Sequence, residues 1–187
     1  MRTPRGFLAV LLPATMAIAA CSDDAPTSSS WSPAQALTRA SARASADIGA
    51  VPPTGGFTVQ VLSRSSFPDA IDATFRIKAD RETRVAHVDD PSDVVVAKVT
   101  LQPGGSLGWH THPGPAIASV ASGELTIIHG DDCAVNRYAG GQAFVDAGQG
   151  HVHIGFNASA VETVVYVTFL DVPSGQGPTI AAADPGC

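Results

Sequence analysis

His110 and His112 stand two residues apart inside the stretch PGGSLGWHTHPGPAIASVASG, residues 103–123, whose composition is that of strands and turns. In an extended chain, positions i and i+2 share a face, so both imidazoles lean toward one point. Neutral imidazole is the commonest protein ligand of a divalent transition metal. A second pair with the same spacing, His151 and His153, follows in GHVHIGFN. Two strands could thus offer imidazoles to a common cavity, and the chemistry open to them is metal binding.

Other residues near these pairs could assist. Asp146, at the end of QAFVD, could orient an imidazole, accept a proton, or be an exposed turn aspartate. Trp109, Phe144 and Phe156 could line a water-excluding cavity or simply fill the core. No Ser-His-Asp, Cys-His or phosphate-loop pattern stands out. His87 and His129 read as ordinary surface or strand histidines.

These residues need strands to position them, and the sequence is rich in strand signals. FTVQVL, TFRIKA, TRVAHV, DVVVAKVTL, AIASVA, ELTIIH, QAFVD, HVHIGF and TVVYVTFL are short, β-branched and bounded by Gly, Pro or polar breaks. Ser122-Gly123 reads as a tight turn joining two antiparallel strands. Short strands without a convincing long helix predict an all-β sandwich or barrel. The chain has 187 residues, 44% of them hydrophobic, enough for one domain with an extension; Gly 18 and Pro 14 suit tight turns.

The two histidine segments together resemble the motifs of the cupin family. The first motif is read in Gly104, His110, His112 and Gly123, and the second in Gly150, His153 and Asn157. The resemblance spans the last two thirds of the chain and implies a double-stranded β-helix, the jelly-roll barrel. It also implies a divalent metal, Fe, Mn, Zn, Ni or Cu, held by His110, His112 and His153, with water or substrate in the open positions. His151 is the alternative or fourth ligand; it could instead contact a substrate or line the barrel mouth. One position departs from the pattern: the glutamate that usually follows HxH is here Ala116, and Glu124, beyond the closing glycine, does not replace it. Three neutral imidazoles leave the ion's charge uncompensated, which favours an anionic or enolisable ligand. The family includes oxygenases with three histidines, so a metal-dependent dioxygenase acting on a small molecule is the enzyme expectation. A non-catalytic envelope module binding a small ligand or metal is the alternative. A homodimer is a further implication of the resemblance.

The beginning of the chain reads as an export signal, with Arg2 and Arg5, an apolar run from Phe7 and IAAC ending at Cys21. The run is short of the ~20 residues of a spanning helix. Its last four residues resemble the lipobox of bacterial lipoproteins, which implies cleavage before a lipidated Cys21. The expected organisation is a signal peptide over 1–20, a Ser/Ala/Pro-rich disordered tether over 21–54 and the folded domain over 55–187. That places the protein on the periplasmic or extracellular face of a membrane, attached through lipid alone. With Cys21 assigned, Cys133 and Cys187 are expected to form a disulfide in an oxidising compartment. The formal net charge is -6, with no basic cluster, which speaks against nucleic acid as a partner.

Overall fold

The computed structural model describes residues 50–79 and 82–187, so the expected signal peptide, Cys21 and nearly all of the expected tether lie outside the described residues. The described residues form eleven strands and no helix: β1 Gly55–Ser66, β2 Asp72–Ala79, β3 Glu82–Asp89, β4 Asp93–Thr111, β5 Ala116–Ser122, β6 Glu124–His129, β7 Val135–Ala139, β8 Ala143–Asp146, β9 His153–Phe156, β10 Thr163–Val172 and β11 Ile180–Ala181. The all-β expectation holds, and the first strand among the described residues, β1, begins at Gly55 with the alternation of FTVQVL.

Nine strands join in one sheet of order β7-β6-β9-β4-β10-β5-β8, with β1 and β11 also paired to β4. β4 is the spine. Its first half, Asp93 to Leu101, lies between β1 and β10. Its second half, Ser106 to Thr111, pairs with β9 and β11. One 19-residue strand therefore serves both halves of a jelly-roll barrel.

The barrel interior follows from period-two alternation. Val95, Ala97, Val99 and Leu101 on β4 point inward with Ala116, Ala118 and Val120 on β5, Leu125 and Ile127 on β6, and Val165, Val167 and Phe169 on β10. Each fully buried Val, Leu or Phe contributes about 1.5–3 kcal/mol. A smaller cluster of Ile128, Ile154 and Phe156, joined by Val51, Trp109 and Val135, covers the opposite face of the β6–β9 layer. Trp109 and Phe156 therefore pack outside the cavity rather than lining it, because they alternate with the inward positions of β4 and β9. Phe144 does face the cavity.

Ser122-Gly123 does not close a hairpin. β5 pairs with β10 and β8, while β6 pairs with β7 and β9, so the chain crosses here from one half of the barrel to the other. Gly123 takes φ 76°, and the buried Thr163 secures the corner by accepting from Glu124 N and donating to Glu124 O. Both edges of β5 are already occupied, leaving none for its sequence neighbour.

β2 and β3 form a separate antiparallel hairpin. It is tied to the barrel by the Arg84–Asp131 ion pair and by the Gln149 side chain, which bonds both the N–H and the C=O of His87. His87 itself is exposed and meets Thr74 across the hairpin, as an ordinary strand histidine would. Cys133 and Cys187 are joined in a disulfide, Cα–Cα 5.4 Å, across a sequence separation of 54.

Candidate metal centre

The three-histidine group is assembled by strand register. β4 and β9 are antiparallel with His110 opposite His153, so these two imidazoles form a cross-strand pair. His112 follows at i+2 on the same face. Ring centroids are 5.0 Å apart for His110–His112, 4.5 Å for His110–His153 and 5.2 Å for His112–His153. All three are buried, and their candidate ligand atoms lie within 4.8 Å of one another.

A bulge aims the pair on β4. Inward positions run Val99, Leu101 and Leu107, then His110 and His112, so the phase shifts by one residue between Leu107 and His110. The register to β9 shifts between Ser106 and Trp109, with Gly108 at φ 74° in the left-handed region. Glycine adopts that conformation without the steric cost a Cβ would bring, and such bulges re-aim side chains. The bulge also anchors what it aims: His110 Nδ1–H donates to Gly108 O at 2.8 Å. His112 Nδ1–H donates to Pro178 O at 2.8 Å, from the segment just before β11. Each bond fixes the tautomer and leaves the Nε2 lone pair for a ligand.

Burial lowers the pKa of all three. His110 falls to about 4, through desolvation first and the neighbouring His112 second. His112 is lowered by burial, and His153 is driven well below the ordinary value by the same cause. They are neutral at pH 7, the protonation state that metal binding requires. Donor chemistry, tautomers and charge state all fit a divalent ion.

His151 is held differently. It is buried, and its Nδ1–H donates to Asp146 Oδ2 at 2.5 Å. Its Nε2 is taken up by His129 Nδ1 at 3.1 Å, and His129 Nε2 in turn meets Asn136 Nδ2 at 2.9 Å. With the Asn136 amide donating, the donors run in one direction, Asn136 to His129 to His151 to Asp146. Both nitrogens of His151 are engaged. His129 is a strand histidine, the last residue of β6, but this chain connects it to the site. That connection depends on the β6–β9 register, which pairs His129 with His153.

Asp146 is no exposed turn residue: it is 5% exposed and faces the same cavity as the three histidines. Burial alone would raise its pKa, but the His151 hydrogen bond and the nearby His153 outweigh it and hold the carboxyl below the usual range. Its other oxygen accepts from Gly148 N at 2.8 Å. Asn157, the last residue of the second motif, plays a scaffolding part. Its amide donates to Leu101 O and Val161 O, and its oxygen accepts from Ser159.

The histidines open into a cavity of about 240 Å³ with walls that include Val99, Leu125, Val165, Val167 and Phe169. A nearly closed, barrel-like sheet of the cupin-type jelly roll thus holds, at one spot of an aliphatic interior, three neutral imidazoles and a carboxylate, a group that could hold a metal ion. Residues 97–169 match the family model described as a cupin domain, a span that contains His110, His112, Asp146 and His153. No curated protein matches the sequence. Similar solved structures include a recombinant oxalate oxidase in complex with glycolate, 26% identical over 47% of this chain and 45% of that one, TM-score 0.40. The Cupin_2 domain of an XRE family transcriptional regulator from Enterobacter cloacae is 18% identical over 64% and 99%, TM-score 0.42. The polyketide cyclase RemF from Streptomyces resistomycificus is 17% identical over 49% and 64%, TM-score 0.40. The chain thus spans less than half of the oxalate oxidase.

Proposed function

We propose that this protein is an exported, lipid-anchored cupin that holds one divalent metal ion on His110, His112 and His153 and uses it on a small organic molecule seated in the barrel. The observation that carries this reading is the cross-strand His110–His153 pair with His112 beside it, the Nδ1 atoms of His110 and His112 tied to backbone carbonyls. When bound, a divalent ion would polarise a carbonyl or enol oxygen or support reaction with dioxygen. The chain's own residues do the rest. Val99, Val165, Val167 and Phe169 exclude water and accept an apolar body. Three neutral ligands leave net positive charge for an anionic or enolisable head group. Fe, Mn, Zn, Ni and Cu are all compatible with imidazole donors.

Export is supported by the Cys133–Cys187 disulfide, since such bonds persist in oxidising compartments. A membrane-fraction assay of the wild type against Cys21→Ser tests the anchor: release of the variant is expected, and equal release of both would remove it.

Elemental analysis of purified wild type and of His110→Ala, His112→Ala, His153→Ala and His151→Ala tests the site. One equivalent of metal, lost in the first three and kept in His151→Ala, is the expected result. Retention in His153→Ala with loss in His151→Ala would exchange the two roles. No metal after reconstitution with each candidate ion would sink the reading. Ligand-dependent stabilisation without product from any small molecule tried would leave a binding module in place of an enzyme.

A further inference from the structure

Three imidazoles contribute no negative charge, yet a divalent ion in an aliphatic interior needs some close at hand. Among the described residues that line the cavity, one carries a carboxylate. On β8, Asp146 is the direct cross-strand partner of Ala116 on β5, and both residues line the cavity into which the histidines open. Oδ2 of Asp146 lies 2.5 Å from His151 Nδ1 and 3.5 Å from His153 Nδ1. That His153 nitrogen is buried and has no hydrogen-bond partner. His110 and His112 each have their Nδ1 satisfied by a carbonyl, so His153 is the member of the group whose anchor is incomplete.

Resting on the metal reading above, we propose that Asp146 is the counter-charge of this centre: it accepts the Nδ1–H of His153, fixing that ring so that Nε2 faces the ion. The site is then three imidazoles backed by one carboxylate, delivered from β8 where its neighbour β5 presents only Ala116. The relay from Asn136 through His129 and His151 ends on the same oxygen with every donor pointing toward it, which keeps Asp146 an acceptor. Asp146 is a positioning residue. It acts through His153, whose basicity as a ligand rises when its other nitrogen donates to a carboxylate.

The test is metal affinity, measured on the purified protein with Zn²⁺ or Co²⁺ in competition with a chromophoric chelator. Asp146→Asn, isosteric and uncharged, is expected to keep one equivalent but to weaken affinity roughly ten- to a hundredfold, with an altered Co²⁺ absorption spectrum. His151→Ala, which removes only the relay, is expected to weaken it less. The double variant Ala116→Glu with Asp146→Asn is expected to recover part of the loss, because residue 116 faces the same cavity from the neighbouring strand. An Asp146→Asn affinity within threefold of wild type would overturn the proposal. So would a loss in His151→Ala as large as that in Asp146→Asn, which would make Asp146 a prop for His151 alone. Two equivalents in wild type, the second lost in His151→Ala, would overturn it in favour of a second ion on Asp146, His151 and His153. A wild-type measurement covers the case of a variant that fails to fold: the Zn²⁺-loaded protein should show a His153 Nδ1 proton with the downfield NMR shift of a bond to carboxylate. An Nδ1 of His153 without that proton would refute the assignment. A wild type that binds no metal fails the underlying reading instead and is told apart by stoichiometry alone.

Discussion

Removing the Cys133–Cys187 disulfide should lower stability by an amount set almost wholly by the unfolded chain. Both cysteines are exposed, so Cys133→Ser with Cys187→Ser takes little side-chain packing away. The sequence separation is 54, and closing a loop of that length in the denatured ensemble costs about 4 kcal/mol on the chain-entropy relation. At roughly 3 °C per kcal/mol for a domain of this size, the melting temperature should fall by about 12 °C. The assay is guanidinium unfolding followed by tryptophan fluorescence, wild type against double variant, both metal-free. A local effect should accompany the global one. The segment that the bond holds also supplies Pro178 O to His112, β11 to β4 and the Ala182 N–H to Trp109 O. Amide exchange at Ala182 should therefore accelerate more than exchange at Val167 in the core. A stability difference below about 1 kcal/mol would refute the loop-entropy reasoning. Unchanged exchange at Ala182 would refute the idea that the bond steadies this side of the three-histidine site.

Gly108→Ala forces a side chain into the left-handed region and toward Thr54, so a loss of about 1–2 kcal/mol is expected, with weakened metal binding in the chelator assay. Asn157→Ala strands two backbone carbonyls and a Ser159 amide; denaturant titration should show a loss of roughly 3 kcal/mol. The metal-free protein should lose stability on acidification from pH 6.5 to about 4. Above that window His110 is neutral folded and unfolded; within it the unfolded chain takes the proton first, costing about 3 kcal/mol from this residue. Chemical denaturation across that range checks it, and the His110→Ala protein should show a shallower decline.

The histidine pairs were legible because strand alternation and spacing are written directly in the sequence; the short β-branched runs gave only an all-β sandwich or barrel, and the resemblance to the cupin motifs chose the barrel. The disulfide followed from counting cysteines. What could not be read depended on pairing between strands far apart in the chain. Asp146 looks like any turn aspartate until β8 is set against β5, opposite Ala116. His129 looks idle until β6 is set against β9, opposite His153. Ser122-Gly123 has hairpin chemistry, yet β10 and β8 already hold both edges of β5. Trp109 and Phe156 were candidate cavity walls because nothing local announces which side of a strand faces in. The buried carboxylate and its link to His151 carry a faint signal, Asp146 standing a few residues before the second histidine pair.

The bulge at Gly108 separates the letters of the motif from the site they build. Ahead of it the inward residues carry odd numbers, as at Val99 and Leu101, and after it even numbers, as at His110 and His112. A chain that lacked this one glycine would keep the His-x-His pair and its distance to every later landmark, yet both imidazoles would sit out of phase, on the barrel's outer wall. Sorting relatives of this protein into metal binders and empty barrels therefore calls for counting residues from the last core position of β4 to the first histidine, much as a reading frame is checked before a codon is translated.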